Sequence, residues 1–295
     1  MFGKPEYASV NTRVNQRLAQ VGLAIVAHRG CVGGIIAPNT QLAVRAALHA
    51  GADLVNLDVS SAADATYYCF HDGYEAELLG VEDNIQTMSA AAIDKLSYLW
   101  SDQPARPQRV ARLLPLLKQF ADETLFVIDR SWWRWPHLLA ALDVLGTPDR
   151  IILKCPARED AALDQLRRFE VKYPFLPVCD NPTEAALVIG DPDINTIGVE
   201  LITTSPDHPW FSRAQLDDLH TQGVFCLVNT LALTTGVPLF GGLDDLRAVT
   251  EGPEAAYGPL VDLGVDAIHT DLPWLVRSFR DARGRSAAGR RAPAA

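Results

Sequence analysis

Acidic, basic and imidazole side chains recur directly after short apolar segments of the chain. Asn56 and Asp58 stand two residues apart, so on a strand both side chains face the same way. A single residue of this kind is commonly a helix cap or a structural histidine, but the recurrence favours one shared site. The candidates are His28, Arg29, Asn56, Asp58, His71, Asp129, Lys154, Glu200 and Asn229.

These side-chain types together suit chemistry at a phosphodiester. Carboxylate and amide oxygens are hard ligands for Mg²⁺ or Ca²⁺ rather than for zinc. The cation, together with arginine and lysine, would stabilise negative charge on a phosphoryl group in the transition state. Two histidines can act as general acid and general base. The sequence contains no phosphate-binding P-loop, GxSxG or HExxH motif, which disfavours P-loop, serine and zinc hydrolysis.

Eight strand-like segments alternate with helical segments along most of the chain. This alternation predicts parallel strands joined by right-handed crossovers, and eight units favour closure into an α/β (β/α)8 TIM barrel over an open doubly wound sheet. In a parallel barrel the carboxyl ends of the strands converge on one face, which would bring the candidates together. The predicted strands are 23–28, 54–58, 124–129, 150–154, 175–178, 196–201, 224–229 and 266–270.

The expected domain organisation is an N-terminal extension at 1–22, a barrel at 23–280 and a flexible tail rich in Arg and Ala at 281–295. An extra strand at 66–71 follows the second strand too closely to be its parallel neighbour, so we expect a hairpin. After it comes a small insertion at about 72–107, in which 89–96 is the one clear helix. The segment 244–263 is expected to be helical, with breaks at Pro253 and Pro259.

Composition limits the partners. The formal net charge of −10 argues against nucleic acid or an anionic membrane as the main partner. Five cysteines without CxxC spacing indicate a reducing compartment, and we find no apolar run long enough to cross a bilayer. We therefore expect a cytoplasmic protein acting on a small-molecule phosphodiester, without integral membrane contact. The sequence does not indicate an oligomeric state.

Four blocks in order resemble the glycerophosphodiester phosphodiesterase family. AHRG at 27–30 with APNT at 37–40 is similar to the family's HRG and PENT segments, and GADLVNLDV at 51–59 to its GAD-x-x-E-x-D-V strand. His71-Asp72 matches its HD pair. GVDAIHTDLP at 264–273 is similar to its closing strand, GVDGIxTDxP.

The resemblance implies a TIM barrel and a metal-dependent phosphodiesterase. It implies that His28 and His71 are the acid–base pair and that Arg29 and Lys154 contact phosphate. It also implies metal ligands at Asn56, Asp58 and Asp129, with Mg²⁺ or Ca²⁺ as the cation. Three further candidates come from the residues themselves. Glu200 and Asn229 stand at strand ends, and Trp132 could either form a wall for a sugar or other headgroup or pack its loop against the barrel rim.

The chain departs from the family pattern at three places. The PENT glutamate is missing, Asn56 replaces the first glutamate of ExD, and Asp129-Arg130 replaces E-x-K. An asparagine adds no charge, so we expect weaker metal binding or a site rebuilt around Glu200.

Three other functional hypotheses remain open from the sequence. Segments at 71–73, 129–132 and 228–231 look closer to agrocinopine synthase-like proteins, which would form a sugar phosphodiester. A catalytically degenerate barrel could bind a phosphorylated ligand without turnover, and Lys154 could serve Schiff-base chemistry. His269 lies near the end of the last strand, and its side chain is expected to face outward.

Overall fold

The predicted strands form a closed parallel barrel in the computed structural model, which describes residues 1–99, 107–233 and 235–291 and side chains up to Gly284. The first barrel strand pairs with both the second and the last, which closes the ring. In chain order the strands are β1 (Ala24–His28), β2 (Leu54–Ser61), β3 (Tyr67–Cys69), β4 (Ala111–Arg112), β5 (Leu125–Asp129), β6 (Ile151–Pro156), β7 (Phe175–Cys179), β8 (Gly198–Leu201), β9 (Phe225–Asn229) and β10 (Ala267–Thr270). The (β/α)8 TIM-barrel prediction is confirmed.

Helices surround the barrel and pack on the outward side chains of its strands. The described helices are α1 (Ala8–Val21), α2 (Gln41–Ala50), α3 (Glu75–Leu79), α4 (Ala90–Ile93), α5 (Leu113–Gln119), α6 (Trp135–Asp143), α7 (Asp160–Arg168), α8 (Pro182–Gly190), α9 (Arg213–Thr221), α10 (Asp245–Thr250), α11 (Pro253–Leu263) and α12 (Pro273–Arg291). The described part of the chain contains no helix long and apolar enough to cross a membrane.

Alternation along the strands separates the interior of the barrel from its helical coat. Val26, Leu54, Val127 and Leu227 belong to an inner apolar cluster, whereas their sequence neighbours pack towards the helices. Two residues further along β1, β2, β5 and β9 the inward side chains become polar. The interior is therefore apolar at the amino-terminal end and polar at the carboxyl ends of the strands.

Helix α1 covers the amino-terminal end of the barrel. Its Val14 and Leu18 are buried in the same inner cluster. Beside them the buried Asp53 carboxylate is paired with Arg17 at 2.8 Å and with Arg280 of α12 at 2.6 Å. The segment expected to be an extension therefore closes the bottom of the barrel.

The insertion builds a small separate core over the hairpin. β2 continues to Ser61 and pairs antiparallel with β3, as expected for the extra strand, and β3 pairs with β4. The helix predicted over 89–96 is shorter, because after Asp94 the chain continues in tighter turns, with the N–H of Lys95 bonded to Ala92 and that of Leu96 to Ile93. The Asp94 side chain accepts hydrogen bonds from the Tyr68 hydroxyl and Arg112. Residues 100–106 of the insertion lie outside the described residues.

The carboxyl-terminal helices differ in part from the expectation. The segment 244–263 breaks before Pro253, whereas Pro259 lies inside α11. The last helix begins at Pro273 and continues past residue 281, the expected start of the tail, to Arg291. Residues 292–295 lie outside the described residues.

Candidate active site

A cavity of about 680 Å³ opens at the carboxyl ends of the barrel strands. Asn56 is buried in β2 below Asp58 and is the one candidate that does not line it. The strands bring the other candidates together on its wall, as predicted. These are His28, Arg29, Asp58, His71, Asp129, Trp132, Lys154, Glu200 and Asn229.

His28, the last residue of β1, is fixed through both ring nitrogens. Its Nδ1 lies 2.8 Å from Oδ1 of Asp271. Since a carboxylate only accepts hydrogen bonds, the proton is on Nδ1 and Nε2 carries a lone pair. The Nε2 atom accepts from Nε of Arg29 at 3.1 Å. The imidazole therefore presents a basic nitrogen next to a guanidinium.

Arg29 follows in a left-handed turn, with φ 57°. Its Nε lies 2.8 Å from Oδ2 of Asp58, and its guanidinium lies over the Tyr74 ring at 5.5 Å. The turn continues through Gly30, where a Cβ would come within 2.5 Å of the Ala43 backbone. The HRG block thus bends the chain sharply enough to aim the arginine back across the barrel mouth.

Asp58 is almost fully buried beneath these groups. The Nδ2 of Asn39 donates to its Oδ2 at 3.2 Å, and its own backbone N–H donates to Oδ1 of Asn39 at 3.1 Å. Burial works to raise the pKa of the Asp58 carboxyl, but the charges of Arg29, His28 and His71 and the bond from Asn39 lower it overall. The group is therefore a carboxylate.

His71 comes directly after the hairpin strand β3. Its Nδ1 lies 2.8 Å from the Asp72 carbonyl oxygen, so Nδ1 carries the proton and Nε2 is the basic nitrogen. The ring meets Tyr74 edge to face, with centroids 4.7 Å apart. Burial lowers the pKa of His71, and the positive charges of Arg130 and Arg29 lower it further. The negative charge of Asp58 acts to raise this pKa but does not offset the other effects. The imidazole is neutral at neutral pH.

Lys154 lies buried between two carboxylates. Its Nζ is 2.9 Å from Oδ2 of Asp129 and 2.7 Å from Oε2 of Glu200. Burial works to lower the pKa of the lysine, but the two carboxylates raise it overall, so the ammonium is permanent. Such a lysine cannot supply the free amine that a Schiff base needs, which disfavours that alternative.

His269 faces the barrel interior, which corrects the expectation that it faces outward. It is 2% exposed, lines the cavity and meets the His28 ring edge to face at 5.2 Å. The neighbouring Thr270 is the residue that points outward, where its hydroxyl donates to Asp245. Strand alternation could have assigned both faces, since Ala267 and His269 share one side.

The tautomer of His269 follows from its neighbours. The Asn229 Oδ1 accepts from the Leu231 backbone N–H at 3.0 Å, so Nδ2 is the end that donates to Oε1 of Glu200 at 3.0 Å and faces Nδ1 of His269 at 3.3 Å. The proton of the ring is therefore on Nε2, which is buried without a hydrogen-bond partner. Burial and the charges of Lys154, His28 and Arg29 lower the pKa of His269 well below its ordinary value.

The geometry can be compared with known proteins. The family model of the glycerophosphoryl diester phosphodiesterase family matches residues 28–275. The chain belongs to this family. Membership makes it an enzyme of the phosphoric diester hydrolase class and confirms the resemblance. A search of curated proteins gave no significant match.

Solved structures share the fold at low sequence identity. A glycerophosphodiester phosphodiesterase from Agrobacterium tumefaciens is 19% identical with TM-score 0.62, over 86% of this chain and 98% of that one. A glycerophosphoryl diester phosphodiesterase from Parabacteroides distasonis is 15% identical with TM-score 0.67, over 92% of each chain. An Oleispira antarctica phosphodiesterase, solved with the product sn-glycerol-3-phosphate, is 16% identical with TM-score 0.65, over 90% and 99%.

Members of the phosphodiesterase family generally use divalent cations, and the oxygen donors here fit such an ion. Both side-chain atoms of Asn56 are buried without a hydrogen-bond partner. Asp58 and Asp129 lie beside each other in register on β2 and β5. This set offers three oxygen-bearing groups but only two negative charges, and Arg29 and Lys154 already pair with both carboxylates.

A second cluster of metal-ligand types lies away from the cavity. Ligand atoms of His220, Cys226 and Asp266 come within 4.8 Å of one another. One Asp266 oxygen already lies 2.7 Å from Nε2 of His220 and accepts from the Cys226 backbone N–H. These bonds give the cluster a structural role in joining α9 and β9 to the loop before β10.

The tryptophans that follow β5 divide between cavity, rim and core. Trp132 lines the cavity, and Trp133, 41% exposed, packs against it edge to face at 4.6 Å. Trp135 is fully buried in the outer core and donates to Oγ of Ser131. Tyr74, which contacts both His71 and Arg29, supplies an aromatic wall that the sequence did not indicate.

Proposed function

We propose that the protein cleaves a small glycerol- or sugar-phosphate diester with His28 and His71 as its acid–base pair. The observation that carries the proposal is the state of the two imidazoles. In each imidazole the Nδ1–H donates a hydrogen bond to a fixed oxygen acceptor, which leaves Nε2 as the reactive nitrogen. Both rings line one cavity with Arg29 and Lys154.

The surroundings of the two rings suggest different roles. His71 is neutral and lies among positive charges, which suits a general base that activates the attacking hydroxyl or water. His28 is backed by the Asp271 carboxylate, which would stabilise an imidazolium. Once Arg29 leaves Nε2 for the phosphate, a proton taken up at Nε2 would let His28 act as the acid that protonates the leaving oxygen. Both roles reverse if the enzyme forms a diester, so the geometry serves cleavage and synthesis alike.

Arg29 and Lys154 are the proposed phosphate contacts. Arg29 would exchange its bonds to Asp58 and His28 for the phosphoryl oxygens, which frees Nε2 of His28. Asn56, Asp58 and Asp129 would hold Mg²⁺ or Ca²⁺, which supplies electrostatic stabilisation of the phosphoryl group when bound.

The test is product release from a panel of glycerophosphodiesters and sugar phosphodiesters with Mg²⁺, Ca²⁺ or EDTA. We expect turnover that EDTA abolishes and that His28→Ala and His71→Ala each lower by at least about a hundredfold. His137→Ala is the matched control, because His137 is exposed on α6. Full activity in both site variants would disprove the acid–base assignment. Absence of turnover in the unaltered protein, with retained phosphate binding, would favour the degenerate barrel.

A further inference from the structure

The cavity has a charged half and an apolar half. The charged half comes from β1, β2, β5 and β6. On the other side, the ends of β7, β8 and β9 present what we call the apolar wall, namely Val178, Ile202, Leu231, Leu233 and Leu239. The wall is continuous with the phosphate end, because Lys154 and Asn229 line the same space.

The charged residues near the apolar wall are already paired. Asp180 forms an ion pair with Arg158. Glu200 binds Lys154 and accepts from Asn229. A ligand group against the wall therefore meets hydrocarbon, and a hydroxyl placed there would give up hydrogen bonds to water without replacing them.

The loop after β9 extends the apolar wall to the surface. An antiparallel bridge between Ala232 and Pro238 closes this loop, and the Leu233 N–H donates to the Val237 carbonyl at 2.8 Å. Leu233, which lines the cavity, is 50% exposed. A ligand that covers an apolar side chain at the cavity mouth removes that surface from water, which lowers the free energy of the complex.

We propose that the apolar wall binds an alkyl or acyl arm of the substrate, so that the preferred diester is amphiphilic rather than a plain polyol diester. The inference rests on the proposed function, since it needs the phosphoryl group at Arg29 and Lys154. The arm then runs from the phosphate along Leu231 and Leu239 and leaves past Leu233. The arm adds affinity in proportion to the hydrocarbon that it buries.

Calorimetric titration in the presence of Mg²⁺ with glycerol 3-phosphate and with butyl, hexyl and octyl phosphate, each below its aggregation concentration, tests this inference. A fully buried methylene strengthens binding about fourfold, and a half-covered wall should give roughly half of that free energy per methylene. We expect octyl phosphate to bind roughly tenfold more tightly than butyl phosphate. Leu233→Ser and Leu239→Ser, which both alter the apolar wall, should flatten the series and leave the affinity for glycerol 3-phosphate unchanged.

Leu246→Ser is the matched control, because Leu246 is 70% exposed on α10 and does not line the cavity. It should leave the whole series as it is. Equal affinity for all chain lengths would overturn the amphiphile assignment while leaving the phosphate site intact. A chain-length effect that survives both wall variants would overturn the assignment to this wall. Failure of every phosphate to bind would overturn the proposed function and the inference with it.

Discussion

Asn56 sets the charge of the proposed cation site. It stands where the resembling strand pattern carries a glutamate, and its amide is buried without a hydrogen-bond partner. Two carboxylates, Asp58 and Asp129, then remain on neighbouring strands. The site therefore balances a divalent cation only if Arg29 and Lys154 move their charges towards the phosphate.

Asn56→Asp should strengthen divalent-cation binding with little change in shape. A unit charge about 4 Å away is worth several kcal/mol at an effective dielectric constant of about 20, and burial of the new carboxylate offsets part of this. We expect the Mg²⁺ concentration for half-maximal activity to fall at least about tenfold. Calorimetry with Mg²⁺ in the presence of glycerol 3-phosphate measures the same change independently of turnover. Unaltered affinity would place the cation away from Asn56.

The pH dependence should report His71. A base must be unprotonated, so kcat/KM should rise with pH through the pKa of His71, which lies below the ordinary value of 6.5. Arg130 is one cause of the lowered pKa, so Arg130→Gln should move this limb of the profile to higher pH. Arg158→Gln is the control, because Arg158 lines the cavity but does not contribute to that shift. A limb that stays in place would contradict His71 as the base.

Several residues of the candidate site could be predicted from their side-chain types and positions alone. His28, Asp58 and Lys154 follow apolar runs, and the barrel brings them to one cavity. The expectation that His269 faces outward was wrong, because the strand is short and its last two residues, His269 and Thr270, are both polar. Tyr74 was missed as well, since a tyrosine in an insertion carries no signal until the loop is folded against His71.

At the scale of elements, Asp245 joins the carboxyl ends of β9 and β10 to α11. Its buried carboxylate accepts from the hydroxyls of Thr230, Tyr257 and Thr270 and from the Asp271 N–H. Burial raises the pKa of the Asp245 carboxyl overall, although these hydrogen bonds act to lower it. Because Asp271 holds His28, this junction also aims the imidazole.

Asp245→Asn should lower the free energy of unfolding by about 2 kcal/mol, because an amide nitrogen replaces one accepting oxygen among buried donors. Urea unfolding measures the loss. Asp244→Asn is the control, since the N-cap of α10 works with either side chain. If Asp245→Asn proved as stable as the control, the junction would be dispensable.

The order of strands and helices could be predicted from the sequence better than the residues at which they end. Eight apolar segments predicted the barrel strands because buried parallel strands are apolar on both faces. The helix over 89–96 was overestimated, because its last residues, Lys95 and Leu96, form tighter turns, and the exact end of a helix carries little signal in the sequence. Pro259 was a candidate break, but α11 continues through it.

At the scale of the whole molecule, the two ends of the barrel have separate tasks. The amino-terminal end is closed by α1, while the cavity occupies the other end. This closure could not be predicted from residue types, because α1 is polar overall and buries only a narrow apolar stripe.

Leu18→Ala should therefore cost stability without changing substrate binding. Removing a buried leucine costs about 2–5 kcal/mol, and Leu18 is 6% exposed in the inner cluster. Thermal or urea unfolding measures the loss, and KM should stay unchanged. Leu187→Ala, with the side chain 72% exposed on α8, is the control. A raised KM would show that the two ends of the barrel are coupled.

The pairing of Arg29 with Asp58 and of Lys154 with Asp129 has a consequence for the order of assembly. Each cationic side chain occupies the carboxylate that a metal would use, and each carboxylate occupies the cation that a phosphate would use. A bound metal therefore frees the cationic side chains for the diester, and a bound diester frees the carboxylates for the metal. By linkage, each ligand raises the affinity for the other by the same factor. Either ligand alone should bind weakly, and the two together should bind cooperatively.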